Sequence, residues 1–524
     1  MLAEPDTTST TERYEVEPVN SPKRRQPLYA PRKKIFPKRA NGRFRRFKWL
    51  VMLVTLTIYY VTPWLRWDRG PFAPDQAVLV DLANRRFYFF FIEIWPQEFY
   101  YVAGMLVMAG IGLFLITSTV GRAWCGYACP QTVWVDLFLV VERAIEGDRN
   151  ARIKLDAAPW TADKLGKRVL KHGIWLAIGV ATGGAWIFYF ADAPTLLVDV
   201  VTLKAPLVAY TTIGLLTATT YTFGGLMREQ VCTYMCPWPR IQAAMLDEHS
   251  LTVTYNDWRG EPRSRHAKRA AAEGRAVGDC VDCNACVVVC PMGIDIRDGQ
   301  QLECITCALC IDACDDVMTK LGKERGLISY ATLNDYNRNM ALATAGGTTA
   351  IDPTRVRDKV TGKLVDAVKR TDWRSIIRPR TLVYFTGWAA IGLAMLTVLA
   401  LRSPIDLNVL HDRNPLYVEL RDGTVRNGYD VKILNMTPEP RTVSLHLEGL
   451  PGGSMSLLDS KGVTETAFTL ELEPDKVLPL RLYVHADPAQ LAGPQTRFTF
   501  VVESEDGTLR ASTESTFEAP ERSK

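Results

Sequence analysis

Eight of the chain's twelve cysteines fall between residues 280 and 314. They read C-V-D-C-N-A-C-V-V-V-C-P from Cys280 to Pro291 and C-I-T-C-A-L-C-I-D-A-C from Cys304 to Cys314, so each half has the spacing C-x2-C-x2-C-x3-C. In that pattern three close thiolates wrap one face of an iron–sulfur cube, and the fourth reaches the neighbouring cube. The spacing therefore predicts two [4Fe-4S] clusters. Cys280, Cys283, Cys286 and Cys314 would hold one, and Cys304, Cys307, Cys310 and Cys290 the other. Structural zinc fits poorly, since it takes four thiols per ion from two C-x2-C knuckles about 15–20 residues apart. The chemistry such a segment supports is one-electron transfer.

The other four cysteines form two Cys-x3-Cys-Pro pairs, and none follows Cys314. Clustering of this kind speaks for metal and redox work in a reducing compartment, not for a disulfide framework. A length of 524 residues allows two or three domains. Hydrophobic residues make up 47% of the chain against 23% charged ones, and the two kinds are segregated into separate stretches. The net charge of +5 is too modest to suggest nucleic-acid binding. Six histidines and no C-x-x-C-H motif argue against haem.

Residues 1–48 read as a basic arm, with thirteen Lys and Arg between Arg13 and Lys48 and no acid after Glu17. The arm runs into an apolar stretch, Trp49 to Trp64, and four more follow at Phe99 to Val120, Gly173 to Ala191, Ala205 to Leu226 and Leu382 to Leu401. A helix needs about 20 apolar residues to cross the hydrocarbon, so five runs predict a multi-pass bundle of about five transmembrane helices. Arg and Lys in the loop from Val140 to Lys171, and Arg374, Arg378 and Arg380 before the last run, put those segments inside by the positive-inside rule. The N-terminus and residues 227–380 are then cytoplasmic and the chain after Arg402 is outside. The domains on this reading are the arm (1–48), membrane helices 1–4 (49–226), a cytoplasmic region (227–380) carrying the ferredoxin module at about 270–320, helix 5 (381–402) and an outer domain (403–524). From Arg86 to Tyr101 the aromatic stretch reads as an interfacial belt, with Glu93, Trp95, Gln97 and Glu98 facing the outer surface. The tail from Asn334 to Arg370 reads as a surface linker.

After Arg402 the pattern changes to period-two alternation, as at Val443, Leu445 and Leu447 and at Leu478, Leu480, Leu482 and Val484. Turn signals such as Asp422-Gly423, Pro451-Gly452-Gly453 and Asp506-Gly507 separate the runs. About seven strands in about 120 residues suggest an all-β immunoglobulin-like sandwich without the disulfide. His446 and His485 lie on strand patterns and read as surface histidines.

Two further motifs form an internal repeat. W-C-G-Y-A-C-P-Q, at 124–131, closes the second apolar run, and V-C-T-Y-M-C-P-W, at 231–238, follows the fourth; each leads into an amphipathic helix, Gln131 to Glu146 and Arg240 to Glu248. Proline suits a first helical turn, so the preceding cysteine lies near a helix N-terminus, where partial positive charge favours thiolate. Cys125, Cys129, Cys232 and Cys236 could supply up to four soft ligands for Cu(I), zinc or an iron–sulfur centre. Met227, Met235, Met245 and His249 are further candidates, more simply read as packing and solvated residues.

These motifs, with L-T-V-T-Y at 251–255, C-T-Y-M-C-P-W-P-R-I-Q at 232–242 and G-D-C-V-D-C-N-A-C-V-V-V-C-P-M-G-I-D-I-R-D-G at 278–299, resemble the CcoG/FixG/RdxA family. The resemblance covers about residues 45–520. It implies a bacterial inner-membrane accessory protein for cbb-type cytochrome c oxidase assembly, with two [4Fe-4S] clusters, reduction of Cu(II) to Cu(I), and an outward immunoglobulin-like domain. Copper ions, the oxidase or its copper chaperones and transporters, and an electron donor yet to be identified are the implied partners. The Cys-x3-Cys-Pro thiols would bind copper or relay the electron. A quinol-linked electron-transfer subunit and a non-enzymatic assembly scaffold are the competing readings.

Overall fold

A computed structural model of the chain describes residues 33–345 except 72, the pairs 356–357 and 364–365, and residues 376–520 except 438, 459–462 and 492. Most of the basic arm and most of the expected linker after Ala345 lie outside the described residues. The chain divides into two compact units, residues 1–65, 78–88 and 93–393 forming the first, and 66–77, 89–92 and 394–524 the second.

The first unit is mainly helical: α1 (Arg43–Val61), α2 (Tyr100–Val120), α3 (Pro130–Glu146), α4 (Arg149–Ala157), α5 (Ala162–Ile187), α6 (Ala193–Val201), α7 (Leu207–Thr220) and α8 (Trp238–Met245) precede the ferredoxin segment. The last helix, α14 below, begins in this unit. Three short strands, β1 (Val78–Asp81), β2 (Arg86–Phe89) and β3 (Ile92–Ile94), lie between α1 and α2. Two helices, Pro96–Val120 and Pro379–Leu401, are long and apolar enough to cross a membrane. The other three runs fall short for visible reasons. Arg43, Arg45, Arg46 and Lys48 occupy the start of α1, five charged residues from Asp163 to Lys171 occupy the start of α5, and α7 gives way to a π-helical turn, Tyr221–Met227. All five nevertheless leave large apolar side chains exposed, among them Leu53 and Ile58, Leu106, Val180, Leu215, and Leu393 and Leu396.

Small residues bring α5 and α7 together. A Cβ on Gly183 would stand 2.9 Å from the Ile213 carbonyl oxygen, and one on Gly179 3.2 Å from the Thr217 side chain, the close approach that small residues allow between apolar helices. Glu142, 1% exposed, then ties three elements with charge: Arg152 on α4 donates to it at 3.0 Å, Arg228 at 2.9 Å, and Lys171 on α5 lies 3.7 Å away. Burial raises the cost of its charge, but Arg228, Arg152 and Lys171 outweigh that and hold its carboxyl below the usual range.

The basic stretch before α1 is not a free arm where it is described. Lys38 N–H donates to the Val288 carbonyl at 2.8 Å, and Arg45 binds both oxygens of Asp136 at 2.7 and 2.9 Å with both side chains about 4% exposed. Helix α1 has no capping side chain of its own at Gly42. Its first N–H groups are taken by Asp312, which accepts from Phe44 at 3.2 Å and Arg45 at 2.7 Å. A Cβ at Gly42 would overlap that carboxylate, so only glycine permits the approach.

The ferredoxin segment is compact. Strand β4 (Thr252–Tyr255) pairs antiparallel with β5 (Ile328–Ala331), and short helices α9 (Asp257–Gly260), α10 (Ala267–Ala272) and α11 (Ala285–Val289) lead to α12 (Leu309–Lys320). The expected linker begins instead as a helix, α13 (Leu333–Ala345). Thr332 Oγ1 accepts from Asp335 N–H at 3.1 Å and Tyr336 donates to Asp257 at 2.8 Å, a capped start that weak periodicity had hidden. A second expectation fails in part: Gln97 is exposed and Glu93 half-buried, but Trp95 and Glu98 are 3% and 5% exposed, not turned outward. Glu98 reaches back to the Trp95 N–H at 3.1 Å, and the Arg86 guanidinium lies over the Trp95 ring at 3.9 Å while pairing with Glu93. A polar cap and a cation over the ring make burial of the indole favourable.

Strands β6 (Val356–Arg357) and β7 (Leu364–Val365) pair with each other, and α14 (Pro379–Leu401) runs from the first unit into the second. The second unit is otherwise built on β8 (Ile405–His411), β9 (Val418–Glu419), β10 (Val425–Asn435), β11 (Arg441–Glu448), β12 (Ser454–Leu457), β13 (Ala467–Leu472), β14 (Val477–Ala486), β15 (Gln495–Ser504) and β16 (Arg510–Glu518). One sheet has the order β12-β14-β10-β8 with β9 on β10, and the other β13-β11-β15-β16. Alternating residues meet in its core: Tyr429, Val431, Ile433, Leu445, Leu482, Val484 and Phe500 are fully buried. The Tyr429 hydroxyl crosses to the Thr516 carbonyl at 2.8 Å. The sandwich is the one expected, with nine strands where about seven were counted, the short β9 and β12 carrying too little alternation to be read. His485 bonds to Ser456 at 2.9 Å and His446 lies 3.5 Å from Glu448.

Candidate iron–sulfur and thiol site

The two halves of the cysteine pattern fold alike. Asp282 and Asn284 flank Cys283 with φ of 50° and 60°, and Thr306 and Ala308 flank Cys307 with φ of 56° and 59°. None is glycine, so each left-handed turn costs on the order of 1–3 kcal/mol. Such turns curl the chain around its sulfurs and start α11 and α12, which carry the next cysteines.

Cys280, Cys283, Cys286 and Cys314 line one space of about 340 Å³, together with Tyr255, Arg297 and Ile328. Cys290, Cys304, Cys307 and Cys310 line a second of about 380 Å³, with Met292, Ile294 and Ile305. Cys286 borders both. The fourth cysteine of each half thus stands with the other half's three, the crossed grouping the spacing predicts. Among the described residues no three Cys, His, Asp or Glu side chains converge on a single-ion cage. Thiols ringing a wider apolar space suit a cube of iron and sulfide, and the residues present fit one in each space.

Electrostatics agree with that fit. Burial pushes the Cys290 thiol up to about 12 and Cys304 to about 11, with neighbouring cysteines adding to the effect, and it raises Cys286, Cys310 and Cys314 as well. Backbone N–H groups oppose this, from Met292 and Ile294 at Cys290, Thr306 at Cys304, and Ile328 at Cys314. Metal is what would complete the ionisation, displacing protons from thiols already supplied with N–H partners. Arg297, held by Asp282 and Asp295 at 2.7 Å each, stands close to Cys286 and Cys280 and balances negative charge there.

The Cys-x3-Cys-Pro pairs come together although 107 residues separate Cys125 from Cys232 in the sequence. Cys129, Cys125 and Cys236 all bear electrostatically on Cys232, and Cys129 and Cys236 on Cys125. Each pair spans a π-helical turn, Trp124–Ala128 and Val231–Met235, in which Cys129 N–H bonds to the Trp124 carbonyl and Cys236 N–H to that of Val231. Widened turns of this kind are frequent at functional sites. The repeat is therefore structural: α2 and α3 flank the first turn, and α7 and α8 the second, the second helix being shorter than expected. Ionised thiols, however, are not what burial favours here. It pushes Cys125 up to about 11, Arg122 partly offsetting, and Cys232 up to about 12.

Several residues at the site carried no motif. Gln242, fully buried on α8, accepts from Cys125 Sγ at 2.9 Å and joins the two halves of the repeat. Arg122 donates to the Leu302 carbonyl. Gly126 touches the backbone of the ferredoxin segment: a Cβ there would lie 2.6 Å from the Ile305 oxygen and 3.0 Å from Cys307 Cα. The Tyr127 hydroxyl donates to the Cys307 carbonyl at 3.1 Å. The four thiols thus adjoin the space ringed by Cys290, Cys304, Cys307 and Cys310. Of the other candidates, His249 is exposed, Met235 is half exposed and Met245 is buried.

Three family profiles match the chain: a 4Fe-4S binding domain at residues 102–146, a 4Fe-4S dicluster domain at 227–333, and the immunoglobulin-like fold at the C-terminus of FixG at 395–520. Nitrogen fixation protein FixG of Rhizobium meliloti is 68% identical over 520 residues, covering 99% of each chain. Protein RdxA of Cereibacter sphaeroides is 55% identical over 438 residues, 84% of this chain and 87% of its own. A solved structure of a FixG-related protein from Vibrio parahaemolyticus is 26% identical over 22% of this chain and 97% of its own, with a TM-score of 0.20. Ferredoxin-type 4Fe-4S segments, the C-terminal sandwich and full-length identity converge: the chain belongs to the FixG/RdxA family of iron–sulfur electron-transfer proteins.

Proposed function

We propose that the chain is a membrane-bound cupric reductase, taking one electron per ion to convert Cu(II) to Cu(I) for the copper site of a cbb-type cytochrome c oxidase. When bound, the two [4Fe-4S] clusters would store and pass single electrons. Cys280, Cys283, Cys286 and Cys314 would hold one and Cys290, Cys304, Cys307 and Cys310 the other. The observation that carries the reading is the gathering of Cys125, Cys129, Cys232 and Cys236 beside the second of these spaces, through Gly126 and Tyr127. Four thiols are soft ligands that prefer Cu(I) to Cu(II), so their binding preference favours the reduced ion. Gln242 and Arg122 orient and partly stabilise the Cys125 sulfur. The exposed apolar faces of α1, α2, α5, α7 and α14 support five membrane helices, with the N-terminus and ferredoxin module cytoplasmic and the sandwich periplasmic. The test is Cu(II) reduction by anaerobically purified Cys125→Ala and Cys232→Ala variants that retain full iron and sulfide. A sharp loss of rate is expected, and an unchanged rate removes these thiols from the reaction.

A further inference from the structure

A cleft open to solvent lies where the start of α1 and the side of α3 meet the ferredoxin segment, and Cys232 is on its wall. Four cations line it, Arg45, Lys48, Arg143 and Arg228, against two acids, Asp136 and Glu229. Part of that charge is spoken for. Arg228 pairs with Glu142, and both Asp136 oxygens are taken by Arg45 Nη1. Lys48 is 4% exposed, and among the described residues its ammonium has no hydrogen bond or ion pair, only the longer-range attraction of Asp136. Arg45, 3% exposed, keeps Nε and Nη2 buried without a hydrogen-bond partner, its guanidinium resting 4.9 Å from the Trp49 ring. Arg143 Nε is also buried and unbonded, with its nearest carboxylate oxygen, on Asp148, 3.9 Å away. Arg143 Nη2 donates to the Pro37 carbonyl at 3.3 Å, so what the cleft leaves open is one buried ammonium without a direct partner and three buried guanidinium N–H groups without acceptors; both are costly, and an anion would satisfy them together. The remaining wall is apolar, with Leu139, Val289, Met292, Ile305 and Leu309.

We propose that this cleft binds a phosphate group carried on an apolar body, its oxygens facing Lys48, Arg45 and Arg143 and its body lying along Leu139, Ile305 and Leu309. Several N–H donors from separate cationic side chains match a tetrahedral oxyanion, which arginine binds through paired hydrogen bonds. An anionic phospholipid and a soluble aromatic phosphate ester share that chemistry. The site is independent of copper and stands or falls separately from the reductase reading.

The experiment uses full-length, cluster-loaded protein in neutral detergent, stripped of lipid. Native mass spectrometry follows binding of phosphatidylglycerol in one arm and phenyl phosphate in the other, for the wild type and for Lys48→Met and Arg143→Met. Methionine keeps most of each side chain's bulk and removes its charge, and only variants with wild-type iron content are compared. Binding of either probe that weakens about tenfold or more in both variants is the expected result, and the probe that binds distinguishes lipid from soluble ester. Binding of neither probe, or binding unchanged in the variants, overturns the site.

Discussion

Replacing Asp312 by alanine should undock the start of α1 while leaving the cysteines in place. Asp312 lies between Cys310 and Cys314, yet its carboxylate accepts from the Phe44 and Arg45 N–H groups at 3.2 and 2.7 Å. Hydrogen bonds to a charged group are worth about 1.5–3 kcal/mol, a helix cap about 1 kcal/mol, and an anion at a helix N-terminus about 0.3–1 kcal/mol. These describe overlapping parts of one interaction, so the local loss is about 2–4 kcal/mol, equal to roughly 30- to 700-fold in an opening equilibrium. Hydrogen exchange of a peptide spanning residues 40–48 should accelerate by that factor, with peptides from the β-sandwich unchanged as the internal control. Asp312→Asn keeps one neutral acceptor and should give a smaller effect. Exchange within about twofold of wild type in the alanine variant, at full iron content, would refute the claim that this carboxylate anchors α1.

Four other outcomes are expected. Gly126→Ala places a Cβ 2.6 Å from the Ile305 oxygen, so the Cys307 loop must move; overpacking of about 1–3 kcal/mol should selectively weaken one of two cluster EPR signals, and two intact signals would contradict it. Arg297→Gln removes a positive charge beside Cys286 and Cys280. About 1 kcal/mol of lost attraction makes that cluster roughly 40 mV harder to reduce, and a redox titration without a negative shift would count against this role. Glu142→Gln leaves Arg152 and Arg228 buried without their anion, while Lys171 keeps Glu146 at 2.8 Å, for a loss of about 3–5 kcal/mol that thermal unfolding should register, whereas unchanged unfolding would deny the network its part in stability. Asp247 is partly buried but is held down to about 2 by Arg378 and Ser250, with Arg380 pairing at 2.9 Å. Because its folded value lies below the unfolded value of about 3.9, the anchor of α14 is complete above about pH 4 and is lost as pH falls through about 2. Asp247→Asn should expose the Arg380–Thr381 bond to trypsin at neutral pH, and equal cleavage of wild type and variant there would speak against the anchor.

Cysteine spacing made the crossed grouping legible because three ligands of each set are local and the fourth lies on the next short helix. Alternation likewise exposed the sandwich, where Leu482 and Val484 turn inward while Arg481 does not. Convergence of the two Cys-x3-Cys-Pro pairs was only suggested by the repeat. It depends on Gly179 and Gly183 admitting α7 and on Glu142 gathering three cations, contacts between residues far apart in the chain. Helix α13 was missed because its start is signalled by the Thr332 and Asp335 pair and its amphipathic stripe is weak. Aromatic content alone points Trp95 and Glu98 outward, whereas a capping contact and the Arg86 guanidinium decide their burial.

The borrowed cap on α1 reverses the order in which the chain can mature. Residues 43–61 leave the ribosome long before residue 312 exists, so their first turn must wait with its amides satisfied by water. Only when the iron-bearing segment has closed on itself does Asp312 become available to seat that turn, along with the basic stretch that leads into it. A chain in which helix α12 has not yet folded would then carry an unseated first turn of α1, so the front of the molecule is the last part to be fastened.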